Sequence, residues 1–141
     1  MRRLRAMSDM WGAEFWTYDE VVDSLSRRTS ELFYLEEPVA ETRVGGGWAG
    51  LVFVSVAQDF CDILFVFVDP GLRGRGWGSA ILRGLAAECR GRAISRIGLE
   101  ARASNGSARA LYQKVGMTEV AVRRKYYSDG EDAVIYSWDC I

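Results

Sequence analysis

The chain has 141 residues, enough for one domain whose core needs neither disulfides nor metal. Eighteen Lys and Arg stand against nineteen Asp and Glu, a net charge of −1, so no global field draws the protein to nucleic acid or anionic lipid. There is no histidine, which excludes His-based triads and His-ligated metal sites, and Cys61, Cys89 and Cys140 lie outside any C-x-x-C spacing, against a disulfide framework or a zinc site. The basic start "MRRLRAMSDMWGAEFW" is broken by charges before a signal-peptide core can form. The most apolar region, 49–68, carries Gln58, Asp59 and Asp62 and reads as two short strands rather than a membrane span. The expectation is one cytoplasmic domain over 1–141, with no membrane contact and no direct nucleic-acid binding.

In chain order, Thr17 and Glu20 form a capping box for a short helix with Val21, Val22 and Leu25 on its apolar face, ending near Arg28. Residues 32–57 predict two strands around Gly45 to Gly47, glycines that permit a hairpin's positive backbone angles. "DILFVFVDP" predicts a strand buried on both faces and stopped by Pro70. Ile81, Leu82, Leu85, Ala86 and Cys89 fall at helical spacing, with Gly91 as the stop. "AISRIGLEA" predicts a strand. "SNGSARALYQKVG" predicts a helix capped by Ser104 or Asn105, patterned by Ala108, Leu111, Tyr112 and Val115, and closed by Gly116. "TEVAVRRKYY" and "DAVIYSWDC" predict two last strands flanking the turn "SDG". The order implies a mixed sheet with helices on both faces.

The stretch "VDPGLRGRGWGSAILRGLAAE" joins a strand, a glycine-rich turn and a helix start. That combination is an anion site, because unpaired N–H groups converge where the helix dipole adds positive charge. A P-loop would need a Gly-Lys-Ser/Thr ending, which is absent, and Ser79 occupies the last glycine position of a dinucleotide fingerprint. Arg73-Gly74-Arg75-Gly76-Trp77-Gly78 instead resembles the Q/R-x-x-G-x-G/A loop of the GNAT N-acetyltransferases, which hold the pyrophosphate of acetyl-coenzyme A with it. The plainer alternative is a flexible surface turn.

The likeness runs from Trp48 to Trp138. "LEARASNGSARALYQKVGM" is similar to the family's next strand, catalytic segment and helix. "RRKYYSDGEDAVIY" is similar to the ending of its protein N-terminal acetyltransferases, above all the ribosomal-protein alanine N-acetyltransferases of RimI type. Residues 1–45 read as divergent or shortened, with the first strand reduced to a few residues near Leu4. The resemblance implies the α/β GNAT fold: a mixed, mostly antiparallel central sheet, helices on both faces, and a splayed strand pair at the cofactor site. It also implies roles for particular residues. The backbone of Val66, Phe67 and Val68 would hold the pantetheine arm of acetyl-coenzyme A, and Arg73, Gly74, Arg75, Gly76, Trp77, Gly78 and Ser79 its pyrophosphate. Asn105 would join the cofactor site, sharing a helix face with Tyr112 two turns on.

Glu100 corresponds to the family's proton acceptor, and Tyr112 to its proton donor. An α-amine with a pKa of about 7.7–8.0 needs only a modest base. The plainer alternatives are an edge glutamate paired with Arg102 or Arg109, and a core tyrosine. Tyr126 and Tyr127 correspond to tyrosines that orient a peptide's first residues; alternatively they are strand aromatics at core and rim. Trp77 either covers the cofactor or packs beneath the loop. Arg123, Arg124 and Lys125 read as a solvated edge. No metal is expected. The implied reaction is acetyl transfer to the α-amino group of a protein N-terminus, with a ribosomal-protein alanine as a candidate. The alternatives are a small-amine acetyltransferase and a non-catalytic module that binds acetyl-coenzyme A.

Overall fold

The largely apolar run of residues 51–56 lies in the second strand from one edge of a six-stranded sheet. The computed structural model describes residues 26–36 and 48–140, together with positions 19 and 23. In chain order the elements are β1 (Ser30–Glu36), β2 (Trp48–Ala57), β3 (Phe60–Val68), α1 (Trp77–Gly91), β4 (Arg96–Arg102), α2 (Gly106–Val115), β5 (Thr118–Arg123) and β6 (Ala133–Asp139). The strand order is β1-β2-β3-β4-β6-β5. Every neighbouring pair is antiparallel except β3 and β4. A parallel pair needs a long crossover, and α1 supplies it. The Thr17–Glu20 capping box, the strand near Leu4 and the Gly45–Gly47 turn lie outside the described residues. The strands expected on either side of that turn do pair, with Ser30 opposite Ser55.

One apolar cluster joins the sheet to α1 and α2. Val52, Val54, Cys61, Ile63, Ile97 and Leu99 meet Ile81, Leu82, Leu85, Ala86 and Cys89 of α1 and Tyr112 and Val115 of α2. These helical positions recur at three and four residues, as a single buried stripe requires. Burying each of the Val, Leu and Ile side chains contributes roughly 1.5–3 kcal/mol. The strand buried on both faces is β2, whose residues from Ala49 to Val54 are all buried, and not β3 as its apolar run predicted.

The reason lies in a bulge. Phe53 pairs with Phe65 but Val54 pairs with Ile63, leaving Leu64 as an extra residue on β3. The insertion shifts the alternation by one. Cys61 and Ile63 face the helices before it, and Val66 and Val68 after it. Phe65 and Phe67 stack on the other side with centroids 6.1 Å apart. At the bulge the parallel ladder with β4 stops: it runs only from Phe60 opposite Arg96 to Ile63 opposite Leu99. β3 and β4 therefore part company, as the expected splayed pair would.

Left-handed residues set three element boundaries. Gln58 (φ +56°) turns the β2–β3 hairpin, and Ala93 (φ +57°) delays β4 to Arg96. Lys125 (φ +51°) follows a β5 that ends at Arg123, so Tyr126 and Tyr127 lie in the loop rather than on the strand predicted to 127. The cap of α2 is Asn105, whose side chain accepts from the Ala108 N–H at 3.2 Å. Ser104 instead gives its N–H and hydroxyl to Glu131.

Candidate functional site

The glycine loop is built outward from β3. Asp69 accepts from the Gly71 N–H at 2.8 Å and opens a 3-10 turn, Pro70–Leu72, anchored by the buried Leu72. Gly74 (φ +75°) and Gly76 (φ +85°) take left-handed conformations that an L side chain resists. Gly76 caps α1 without any side-chain hydrogen bond, and no acidic residue stands in the first turn. The first N–H groups of α1 are thus left for an anion. Gly78 serves a different need, because a Cβ there would stand 2.9 Å from Leu111 Cδ2. The alternating glycines hence divide into two for backbone conformation and one for the approach of α2. Arg73 turns back on the strand: its Nε donates to the Val68 carbonyl at 3.1 Å, and its guanidinium lies 5.4 Å from the centre of the Phe67 ring.

Loop, splayed strand and α2 enclose a cleft of about 680 Å³. The structure brings Val66, Phe67, Val68, Arg73, Gly74, Gly76, Trp77, Gly78, Ser79, Asn105 and Tyr112 to its wall, while Arg75 is exposed outside it. Trp77, half-buried as the first residue of α1, is part of that wall. Phe65, Leu111 and Lys114 also line the cleft and were missed as site residues. Leu111 and Lys114 belong to the turn that follows Ala108 on α2, so helical spacing from Asn105 was the signal that could have found them.

Tyr112 is at once a core residue and a cleft residue, its ring 5.5 Å from that of Tyr136. Burial, then the neighbouring Tyr127 and Tyr136, push its hydroxyl up to about 12, so it stays protonated at neutral pH. The three cysteines are buried and burial raises each thiol, which leaves them neutral and unreactive.

Glu100 lies on the opposite side of the sheet. Ile97, Leu99 and Ala101 of β4 face the helices, so Arg96, Gly98, Glu100 and Arg102 face away from them. The partner of Glu100 is neither of the arginines expected. Arg123 donates to its Oε1 at 2.7 Å, reaching from β5 across β6. Arg102 is instead held by Asp129 at 2.8 Å and Glu131 at 3.1 Å, and Arg109 by the Ala103 carbonyl at 3.0 Å, the Tyr136 hydroxyl at 3.2 Å and Glu119 at 3.3 Å. Arg123 stands on the exposed edge strand β5, as the solvated-edge reading expects, and from there it also pairs with Glu100.

Tyr126 and Tyr127 meet edge to face at 5.2 Å, with Arg123 5.5 Å over the first ring and Arg102 4.0 Å over the second. Hydrogen bonding with Glu100 raises the Tyr126 hydroxyl; burial, then the Glu100 charge, raises Tyr127. Tyr127 is thus an electrostatic neighbour of both Glu100 and Tyr112.

Residues 4–117 match the acetyltransferase (GNAT) family. A provisionally named ribosomal protein bS18-alanine N-acetyltransferase of Bacillus subtilis (strain 168) is 35% identical over 114 residues, 76% of each chain. The ribosomal protein bS18-alanine N-acetyltransferase of Escherichia coli (strain K12) is 39% identical over 93 residues, 64% of this chain and 63% of that one. The crystal structure of the ribosomal-protein-S18-alanine N-acetyltransferase from Escherichia coli superposes with a TM-score of 0.78 at 29% identity, covering 96% of this chain and 84% of that one. Among the described residues, no helix is long and apolar enough to cross a membrane.

Proposed function

Because the chain belongs to the acetyltransferase (GNAT) family, we propose that it transfers the acetyl group of acetyl-coenzyme A to the α-amino group of a protein N-terminus. An N-terminal alanine of a ribosomal protein is the first candidate, since two relatives at 35% and 39% identity carry that activity in their names. The observation that carries the reading is the break in the β3–β4 ladder after Ile63 and Leu99, with the cleft on one side of the sheet and Glu100 on the other. A cosubstrate entering along the cleft and an amine arriving at the far face can meet only through such a gap.

The cleft suits acetyl-coenzyme A on its own features. The uncapped first turn of α1 offers N–H groups to a pyrophosphate, and a Cβ at Gly74 or Gly76 would meet nothing within 4 Å, so the loop backbone is open to approach. Beyond Ile63 the β3 backbone is unpaired toward β4, so a pantetheine arm can hydrogen-bond to it as an added strand would. Acetyl-coenzyme A supplies an acyl group activated as a thioester.

This chain's own residues would do the rest. Glu100, paired with Arg123, takes a proton from the acceptor's ammonium directly or through water, freeing the nitrogen lone pair to attack the acyl carbon. A backbone N–H of the unpaired part of β3 stabilises the charge that develops on the acyl oxygen. As the carbon–sulfur bond breaks, Tyr112 gives its proton to the departing sulfur, and the second proton of the attacking nitrogen passes to water, from which Tyr112 is reprotonated. Tyr126 and Tyr127, beside Glu100 in the β5–β6 loop, orient the peptide's first residues.

The test is mass spectrometry of peptides varied at their first two positions, incubated with acetyl-coenzyme A and the purified protein, with Glu100→Gln alongside. A single acetyl gained on the α-amine of particular peptides and lost in the variant is the expected result. Acetylation of small amines but of no peptide would replace the acceptor. Cofactor binding with no acceptor modified would leave a non-catalytic module.

A further inference from the structure

We propose that Asp62 is an acceptor-positioning residue, whose carboxylate lies with that of Glu100 at the β3–β4 gap and seats the ammonium group of the incoming amine. The inference rests on the transferase reading and extends it to the acceptor side.

Asp62 belongs to β3 just before the bulge, in register with Gly98. It faces away from the helices, between the inward-facing Cys61 and Ile63. The next residue of β4 on that face after Gly98 is Glu100, and the ladder ends one pair beyond Asp62. Asp62 and Glu100 are therefore diagonal neighbours at the mouth of the gap, on the side opposite the cofactor cleft.

Charge accounting separates the two carboxylates. Glu100 is balanced by Arg123. The other arginines of β4 on that face are also engaged, Arg96 by Asp139 and Arg102 by Asp129 and Glu131. Asp62 has no hydrogen bond or ion pair among the described residues, although it is half-buried. Asp62, Glu100 and Arg123 together carry one net negative charge, which complements a single ammonium. Burial, then the charge of Glu100, disfavours the ionised form of Asp62, so an arriving cation relieves an existing cost. No proton need move for this role; the amine still loses its proton through Glu100.

The test compares wild type with Asp62→Asn and Asp62→Glu in two assays. The first is steady-state kinetics with acetyl-coenzyme A and an alanine-initiated peptide. The second is fluorescence anisotropy, in the presence of coenzyme A, of that peptide, its des-amino analogue and a labelled polyamine.

For Asp62→Asn the peptide KM should rise about tenfold, as loss of a charge-assisted contact implies. Its kcat should stay within about twofold, with the KM for acetyl-coenzyme A unchanged. Wild type should bind the amine peptide about tenfold more tightly than the des-amino peptide, and Asp62→Asn should not discriminate. Asp62→Glu should restore part of the preference. The melting temperature of Asp62→Asn should not fall, which separates the loss from misfolding.

An unchanged peptide KM in Asp62→Asn, or discrimination that survives the substitution, overturns the assignment. If wild type modifies no peptide, the N-terminal reading fails on its own. The anisotropy then still decides on Asp62, since equal binding of the cationic ligands by wild type and Asp62→Asn refutes it.

Discussion

Glu100 and Tyr112 are set apart by their surroundings, one ion-paired at the outer face and the other buried against Tyr136. Replacing Glu100 by Gln removes the proposed base with little effect on folding, because its exposed partner Arg123 stays solvated. The kcat for peptide should fall about 10²–10⁴-fold with the melting temperature nearly unchanged. Tyr112→Phe keeps the ring packing and removes only the hydroxyl. It should lower kcat by about 10²-fold while leaving the KM for acetyl-coenzyme A unchanged. A variant that loses stability alone, with turnover per folded molecule intact, would return Tyr112 to the core. Asn105 as a cap and the glycines as a loop were legible from side-chain type, since both depend on backbone a few residues away. The partner of Glu100 was not, because it stands 23 residues off in the chain.

Among the elements, α1 and its loop carry the sharpest demands on side-chain size. At Gly76 an alanine must adopt a left-handed φ, which costs about 1–2 kcal/mol. At Gly78 it must displace Leu111, which costs about 1–3 kcal/mol and narrows the cleft. Both variants should melt at lower temperature, and both should gain less protection from coenzyme A than wild type in a thermal-shift titration. Ala93 shows the reverse case: it is exposed and left-handed without being glycine. Ala93→Gly should stabilise the protein by about 0.5–1 kcal/mol in urea unfolding, with the m-value unchanged. Helix periodicity and capping made α1 and α2 readable within a residue or two. β5 was overextended because Arg124 to Tyr127 keep a strand-like composition while Lys125 turns the chain.

For the whole molecule, pH bounds stability from both sides. Burial raises the thiols of Cys61, Cys89 and Cys140 above their ordinary value, and Tyr112 up to about 12. Groups raised in the folded state stabilise fully below their unfolded values, about 8.5 for a thiol and about 10 for a tyrosine, and that stability is lost as the pH climbs past them. Glu31 is lowered by its hydrogen bond from Arg92, and Glu131 by Ser104; their contribution is present above about 4.3 and lost as the pH falls. Melting temperatures across the pH range should show a plateau from about pH 5 to 8.5 that falls on either side. A steady rise in melting temperature from pH 9 to 11 would contradict it. The sequence by itself determined what depends on near neighbours: the strands and helices, the caps, the glycine loop, and the family likeness. Tertiary structure decided the rest, because β6 enters the sheet between β4 and β5 and the bulge at Leu64 reverses the alternation of β3. Those two events bring Arg123 to Glu100, open the gap, and leave Asp62 beside it, and each turns on strand pairing between distant segments that no local pattern encodes.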